Sequence, residues 1–132
     1  MFLDQYIRDL FARVEPVGSR VVCDPPPVDT DADFLCLAKL GTSRDVEGIL
    51  SSLSYEIGGS RDPLEDPLAA LLSMSPEFTS YRRGEINLIV TESPVFFQRF
   101  LAATHVAKRL NLLNKDDRIA LHRAVLYGWG GE

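Results

Sequence analysis

The sequence predicts an α+β fold, a small mixed sheet flanked by helices, with two helices closing the chain. Apolar residues recur at helical spacing near both ends, whereas the stretches 31–38 and 78–90 are extended in character. No internal repeat or linker-like segment divides the 132 residues. Residues 1–132 therefore read as one domain, with 128–132 as a loose tail.

The elements follow in order. In 2–14, Tyr6, Ile7, Leu10, Phe11 and Val14 recur at helical intervals, and Pro16 is expected to stop that helix. A short extended piece at 15–17 leads into Gly18-Ser19, a turn signal. Pro25-Pro26-Pro27 excludes regular structure, because consecutive prolines lack amide donors. From Asp31 the chain turns steadily apolar through Ala38, as a strand entering the core does. Ser43 is expected to cap a helix over 44–53 that buries Val46, Ile49, Leu50 and Leu53. Asp66-Pro67 reads as a cap and first-turn proline opening a short helix to about Ser73. Gly84 is the bend of an extended pair over 78–90. Ser93-Pro94 opens a long helix with Phe96, Phe100, Ala103, Ala107 and Leu110 on one face. Asn114 or Asp116 caps the last helix, which carries Ile119, Leu121, Ala124 and Leu126 and ends at Gly128.

Composition narrows the function classes. At 45% hydrophobic and 25% charged residues the chain is an ordinary globular sequence, large enough to bury roughly two thirds of its unfolded surface without a disulfide or metal staple. No apolar run reaches the roughly 20 residues of a membrane span, and 1–5 lacks a secretory signal pattern. Cys23 and Cys36 have neither CxxC spacing nor a nearby His, which argues against zinc and for reduced thiols in a cytoplasmic protein. A net charge of −5 disfavours duplex nucleic acid as a partner. It leaves room for a small anionic ligand held through metal ions.

The chemistry-bearing stretch is Val17-Gly18-Ser19, eleven residues, then Asp31-Ala32-Asp33-Phe34. On a strand, residues two apart share a face, so Asp31 and Asp33 would present their carboxylates side by side. Such a pair repels itself unless a cation lies between, and oxygen ligands suit Mg²⁺. Glycine lets the backbone approach a phosphate, while the turn amides and the Ser19 hydroxyl can donate to it.

These motifs resemble the DNA polymerase beta-like nucleotidyltransferase superfamily, whose signature joins a Gly-Gly/Ser turn to an Asp-x-Asp/Glu strand. The stretches GSRVVCDPPPVDTDADFLCL, SYRRGEINLIVT and FLAATHVAKRLNLLNKDDRIALHRAVLYG look more specifically like small phage-encoded proteins of that kind. The resemblance implies a minimal nucleotidyltransferase-like fold and Mg²⁺-dependent transfer of a nucleoside monophosphate from an NTP to a hydroxyl acceptor. Asp31 and Asp33 would be the metal ligands, Gly18 and Ser19 the triphosphate holders, and Arg20 the compensating cation. Family members carry a third carboxylate on a later strand; the position that looks equivalent here is Asn87, between Ile86 and Leu88. An amide carries no charge and cannot act as a general base. Glu85, two residues earlier, is the candidate for the missing charge. A second expectation is a catalytically degenerate member serving as a protein-binding module, either a phage inhibitor of host machinery or an antitoxin-like partner of a toxin.

Other motifs weigh less. Asp29–Asp33 opens like a calcium loop, but Phe34 and Leu40 replace the Gly and Glu such a loop needs. Gly58-Gly59-Ser60 is not followed by an Asp-x-Asp and reads as a turn. His105 and His122 lack partners at ligand spacing and read as packing or surface residues. Arg82-Arg83 fit a hairpin tip as well as a triphosphate. Lys108, Arg109, Lys115, Arg118 and Arg123 read as solvated helix faces. Ser19 has no His/Asp partners in sequence, so a serine hydrolase is not expected.

Overall fold

In the computed structural model, residues 3–24, 32–57 and 78–127 are described. The expected helix at 66–73, the Gly58-Gly59-Ser60 turn, the proline run, the Gly128 stop and the tail lie outside them, as does Asp31.

The first element departs from expectation. Helix α1 spans only Gln5–Arg8, opened by the Asp4 carboxylate, which accepts from the Tyr6 N–H at 3.0 Å. Strand β1 follows at Phe11–Val17. Its register slips between Phe11 and Arg13, an irregularity that turns both Phe11 and Val14 toward the same apolar cluster. The three-residue interval that reads as helical is thus a bulged strand. Pro16 does not stop a helix. It pairs with Phe34 inside β1, which forms one edge of the sheet, where a missing N–H can face outward at no cost to the ladder.

A single helical turn, α2 (Ser19–Val22), leads on to β2 (Ala32–Ala38). Helix α3 (Ser43–Ser52) begins one residue earlier than the capping pattern suggests. Thr42 holds the cap position but its hydroxyl donates to the Lys39 carbonyl at 2.6 Å. The Glu92 carboxylate accepts the Ser43 N–H instead, at 3.3 Å, a partner supplied from 49 residues away. Val46 and Leu50 are buried, with Ile49 and Leu53 half-buried beside them.

The two-residue β3 (Glu56–Ile57) pairs with β4 (Phe78–Arg83), and β4 turns through Gly84, at φ 58°, into β5 (Ile86–Thr91). Helix α4 (Pro94–Arg109) opens as its sequence predicts: the Ser93 hydroxyl accepts the Phe96 N–H at 3.1 Å, with Pro94 in the first turn. Phe96, Phe100, Ala103 and Ala107 are buried, whereas Leu110 falls beyond the helix end and is exposed. Asn114 accepts the Asp116 N–H at 2.8 Å and so caps α5 (Lys115–Tyr127), on which Leu126 and His122 are buried.

The sheet runs β1-β2-β5-β4-β3; β2 and β5 are parallel and the other pairs antiparallel. Alternation along the strands splits the core between two faces. One face joins Phe34, Cys36, Leu88 and Val90 to Ile7 of α1 and Val46 and Leu50 of α3. The other joins Val17, Leu35, Phe78 and Ile89 to Phe96, Phe97 and Phe100 of α4 and Leu126 of α5. The architecture is an α+β mixed sheet flanked by helices, with two helices at its C-terminal end. No helix among the described residues is long and apolar enough to cross a membrane.

Candidate functional site

Strand register builds the site. Val17 pairs with Asp33, Asp33 with Asn87, and Asn87 with Arg82, so one row crosses four strands. Directly opposed residues share a sheet face. Val17 belongs to the cluster under α4, which puts Asp33, Asn87 and Arg82 on that face, at the edge where β2 and β5 begin. The Ala32 N–H donates to the Glu85 carbonyl at 2.7 Å and holds the two strand entrances level.

Gly18 closes one side of this row. Its backbone lies at φ 81°, ψ −169°, a region essentially reserved for glycine. A Cβ built there would run into the Asp33 carboxylate, with Asp33 Cγ at 3.0 Å and Cβ at 3.1 Å. The turn and the acid thus abut, as the sequence motif requires. The Gly18 carbonyl accepts from the N–H groups of Val21 and Val22, both at 3.0 Å, fixing the turn that carries Ser19 and Arg20.

Asn87 closes the other side. It is 1% exposed; its Nδ2 donates to Asp33 Oδ1 at 3.2 Å, and its Oδ1 accepts from the Ser80 hydroxyl at 2.6 Å. The sequence-predicted equivalent of the third carboxylate is therefore beside Asp33. It presents an N–H donor to that acid, while its oxygen is engaged by Ser80. Glu85 is not brought into the row: it sits in the hairpin turn with its side chain 70% exposed, 4.0 Å from the Arg20 guanidinium. Arg20 lies at the rim, with its side chain 26% exposed.

The turn is anchored from behind. Val22 and Cys23 pack against Ala107 of α4. The Asp24 N–H donates to Asn111 Oδ1 at 3.0 Å, and Asn111 Nδ2 reaches back to the Asp24 carbonyl at 3.4 Å. Arg118 is not on a solvated face: its Nη1 lies 2.8 Å from the carbonyls of both Leu112 and Leu113 and 3.3 Å from Cys23 Sγ. Lys108, Arg109 and Arg123 are exposed. His105 is exposed, whereas His122 is buried, its Nδ1 2.8 Å from the Arg118 carbonyl. Both cysteines are free and buried, and burial pushes the Cys36 thiol far above its usual range, with Arg8 opposing.

Ser80 and Asn111 do not stand out in the sequence, and Arg118 reads there as a solvated residue. Their roles depend on pairings across 7 to 95 residues, and no local pattern marks them.

Among the described residues no group of three or more His, Cys, Asp or Glu side chains converges. Mg²⁺ is commonly held by one or two carboxylates, with waters and substrate phosphates completing its shell. Among the described residues, Asp33 supplies one such carboxylate, beside the Gly18 turn.

No protein-family model matches the chain. No curated protein matches it either. Among solved structures, the conserved protein GrpB from Enterococcus faecalis is similar at a TM-score of 0.50 and 15% identity. The match covers 92% of this chain and 87% of that one. At this identity the likeness shows a shared fold.

Proposed function

We propose that this chain is a nucleotidyltransferase-like protein that binds an NTP with Mg²⁺ and transfers its nucleoside monophosphate to a hydroxyl acceptor. The observation that carries the reading is the Asp33 carboxylate lying against Gly18, where only a glycine fits. In the reaction, the acceptor hydroxyl oxygen attacks the α-phosphorus and gives up its proton to solvent, the bond to the bridging oxygen breaks, and pyrophosphate leaves. Bound Mg²⁺ would neutralise charge on the phosphates. Asp33, with Asp31, provides the anionic ligands; the turn amides and the Ser19 hydroxyl donate to phosphate oxygens; and the Arg20 guanidinium offsets their charge. The rest is positioning, achieved by fixing the turn and the strand edge relative to each other. The reading places the protein in the cytoplasm of a host cell, encoded by a phage.

A second reading has its own observation. With Asn87 beside Asp33 and its oxygen bound to Ser80, the third family acid is replaced by a neutral donor. This favours a degenerate member that acts as a protein-binding module, as an inhibitor of host machinery or an antitoxin-like partner. An assay with α-phosphate-labelled ATP, GTP, CTP and UTP, with Mg²⁺ or Mn²⁺ and host lysate, separates the two. Label transferred with pyrophosphate release, and lost in Asp33→Ala, supports the enzyme. No transfer, together with a stoichiometric protein partner, supports the binding module.

A further inference from the structure

We propose that Ser80 is a positioning residue for the Asp33 carboxylate, acting through Asn87. The inference rests on the metal-binding reading of Asp33 and adds how this chain holds that acid without a third carboxylate.

Hydrogen-bond logic fixes the orientation of the relay. An ionised carboxylate only accepts, so the group 3.2 Å from Asp33 Oδ1 has to be the Asn87 Nδ2 donor. The amide oxygen is then left on the opposite side, where the Ser80 hydroxyl donates to it at 2.6 Å. Ser80 is 2% and Asn87 1% exposed, so water cannot readily replace either partner. In the β4–β5 register Asn87 faces Arg82 and Ile89 faces Ser80, which makes Ser80 the diagonal neighbour of Asn87 on the same face. Asp33 thereby sets which end of the amide it meets, and Ser80 pins the amide by donating to the oxygen left on the far side. If the amide turned over, two oxygens would confront each other and Asp33 would lose the Asn87 N–H. The relay holds one carboxylate oxygen toward β5 while Gly18 closes around the other, leaving the acid a narrow choice of side-chain angles. A carboxylate in the third position would repel Asp33 until a cation arrived. The amide holds Asp33 in place beforehand.

The test uses Mn²⁺ alone as the probe, titrated by electron paramagnetic resonance into the full chain. It is paired with the NMR signals of the Asn87 side-chain amide. Ser80→Ala and Ser80→Cys, the second of which keeps the volume but weakens the donor, should each raise the Mn²⁺ Kd about five- to tenfold. Both should strip the Asn87 amide protons of their protection from exchange. Ser80→Thr, which restores a hydroxyl, should return the Kd to within about twofold of native. Unchanged Kd values in Ser80→Ala and Ser80→Cys, with Asp33→Ala abolishing binding, overturn the relay and leave the metal reading standing. Equal Mn²⁺ affinity in the native protein and Asp33→Ala, or no binding by the native protein, overturns the metal reading and the relay with it.

Discussion

Gly18 has no room for a side chain, and its backbone occupies a conformation that costs an L-residue about 1–3 kcal/mol. Gly18→Ala adds that strain to a collision with Asp33, so chemical denaturation should show a loss of at least about 1 kcal/mol, and nucleotide affinity should fall with it. Asn87→Asp tests the opposite wall. Two carboxylates would then sit side by side, and at neutral pH without divalent ions the variant should lose on the order of 1–3 kcal/mol. Mg²⁺ should restore much of that loss, visible as a larger metal-induced rise in Tm than the native protein shows. A Tm insensitive to the added charge, with and without metal, would mean that Asn87 does not face the acid. The sequence marks Gly18 and Asp33 as candidates because a glycine before a polar turn and an acid entering an apolar strand are local signals. Ser80 stayed hidden because a serine amid Thr79 and Tyr81 looks like any strand residue until the register with β5 is known.

At the scale of elements, the C-terminal helices were legible through their caps, and the first strand was not. Ser93-Pro94 and Asn114 state where α4 and α5 begin in their own chemistry. Phe11 and Val14, brought to one face by a bulge, imitate a helix, and only pairing with β2 resolves the ambiguity. The α4–α5 contact carries a pH dependence. His122 meets the Phe100 ring edge-on at 4.8 Å and lies 3.5 Å from the Thr104 hydroxyl. Burial holds its imidazole below the ordinary range, against the pull of the Arg118 carbonyl and with the help of the Arg118 charge. With the folded value below the unfolded one, the unfolded chain takes up the proton first. The stability from this packing is therefore full above about pH 6.5 and is lost as the pH falls toward the lower folded value. Thermal unfolding between about pH 7.5 and 5 should show this decline, and His122→Gln should flatten it. A decline of the same steepness in the variant would assign the effect to other groups.

Across the whole molecule, the two central parallel strands β2 and β5 do two jobs: their alternating residues fill both halves of the core, and their first residues form the site. Leu35, fully buried two residues after Asp33, belongs to the cluster under α4. Leu35→Ala should cost about 2–5 kcal/mol in urea unfolding and weaken ligand binding only as far as β2 shifts. The sequence revealed the α+β class and the helix pair, because periodicity and caps report on individual elements. It could not reveal the order β1-β2-β5-β4-β3, which depends on pairings between distant segments. The proposed function depends on Asp33 and the Gly18 turn, which abut, binding a metal-bound triphosphate together with Asp31. Calorimetric titration of ATP with Mg²⁺ into the native protein and into Asp31→Ala/Asp33→Ala tests it most directly. Saturable, Mg²⁺-dependent binding in the native chain and none in a folded double variant is the predicted result; equal binding by both proteins, or no heat from the native one, would contradict it.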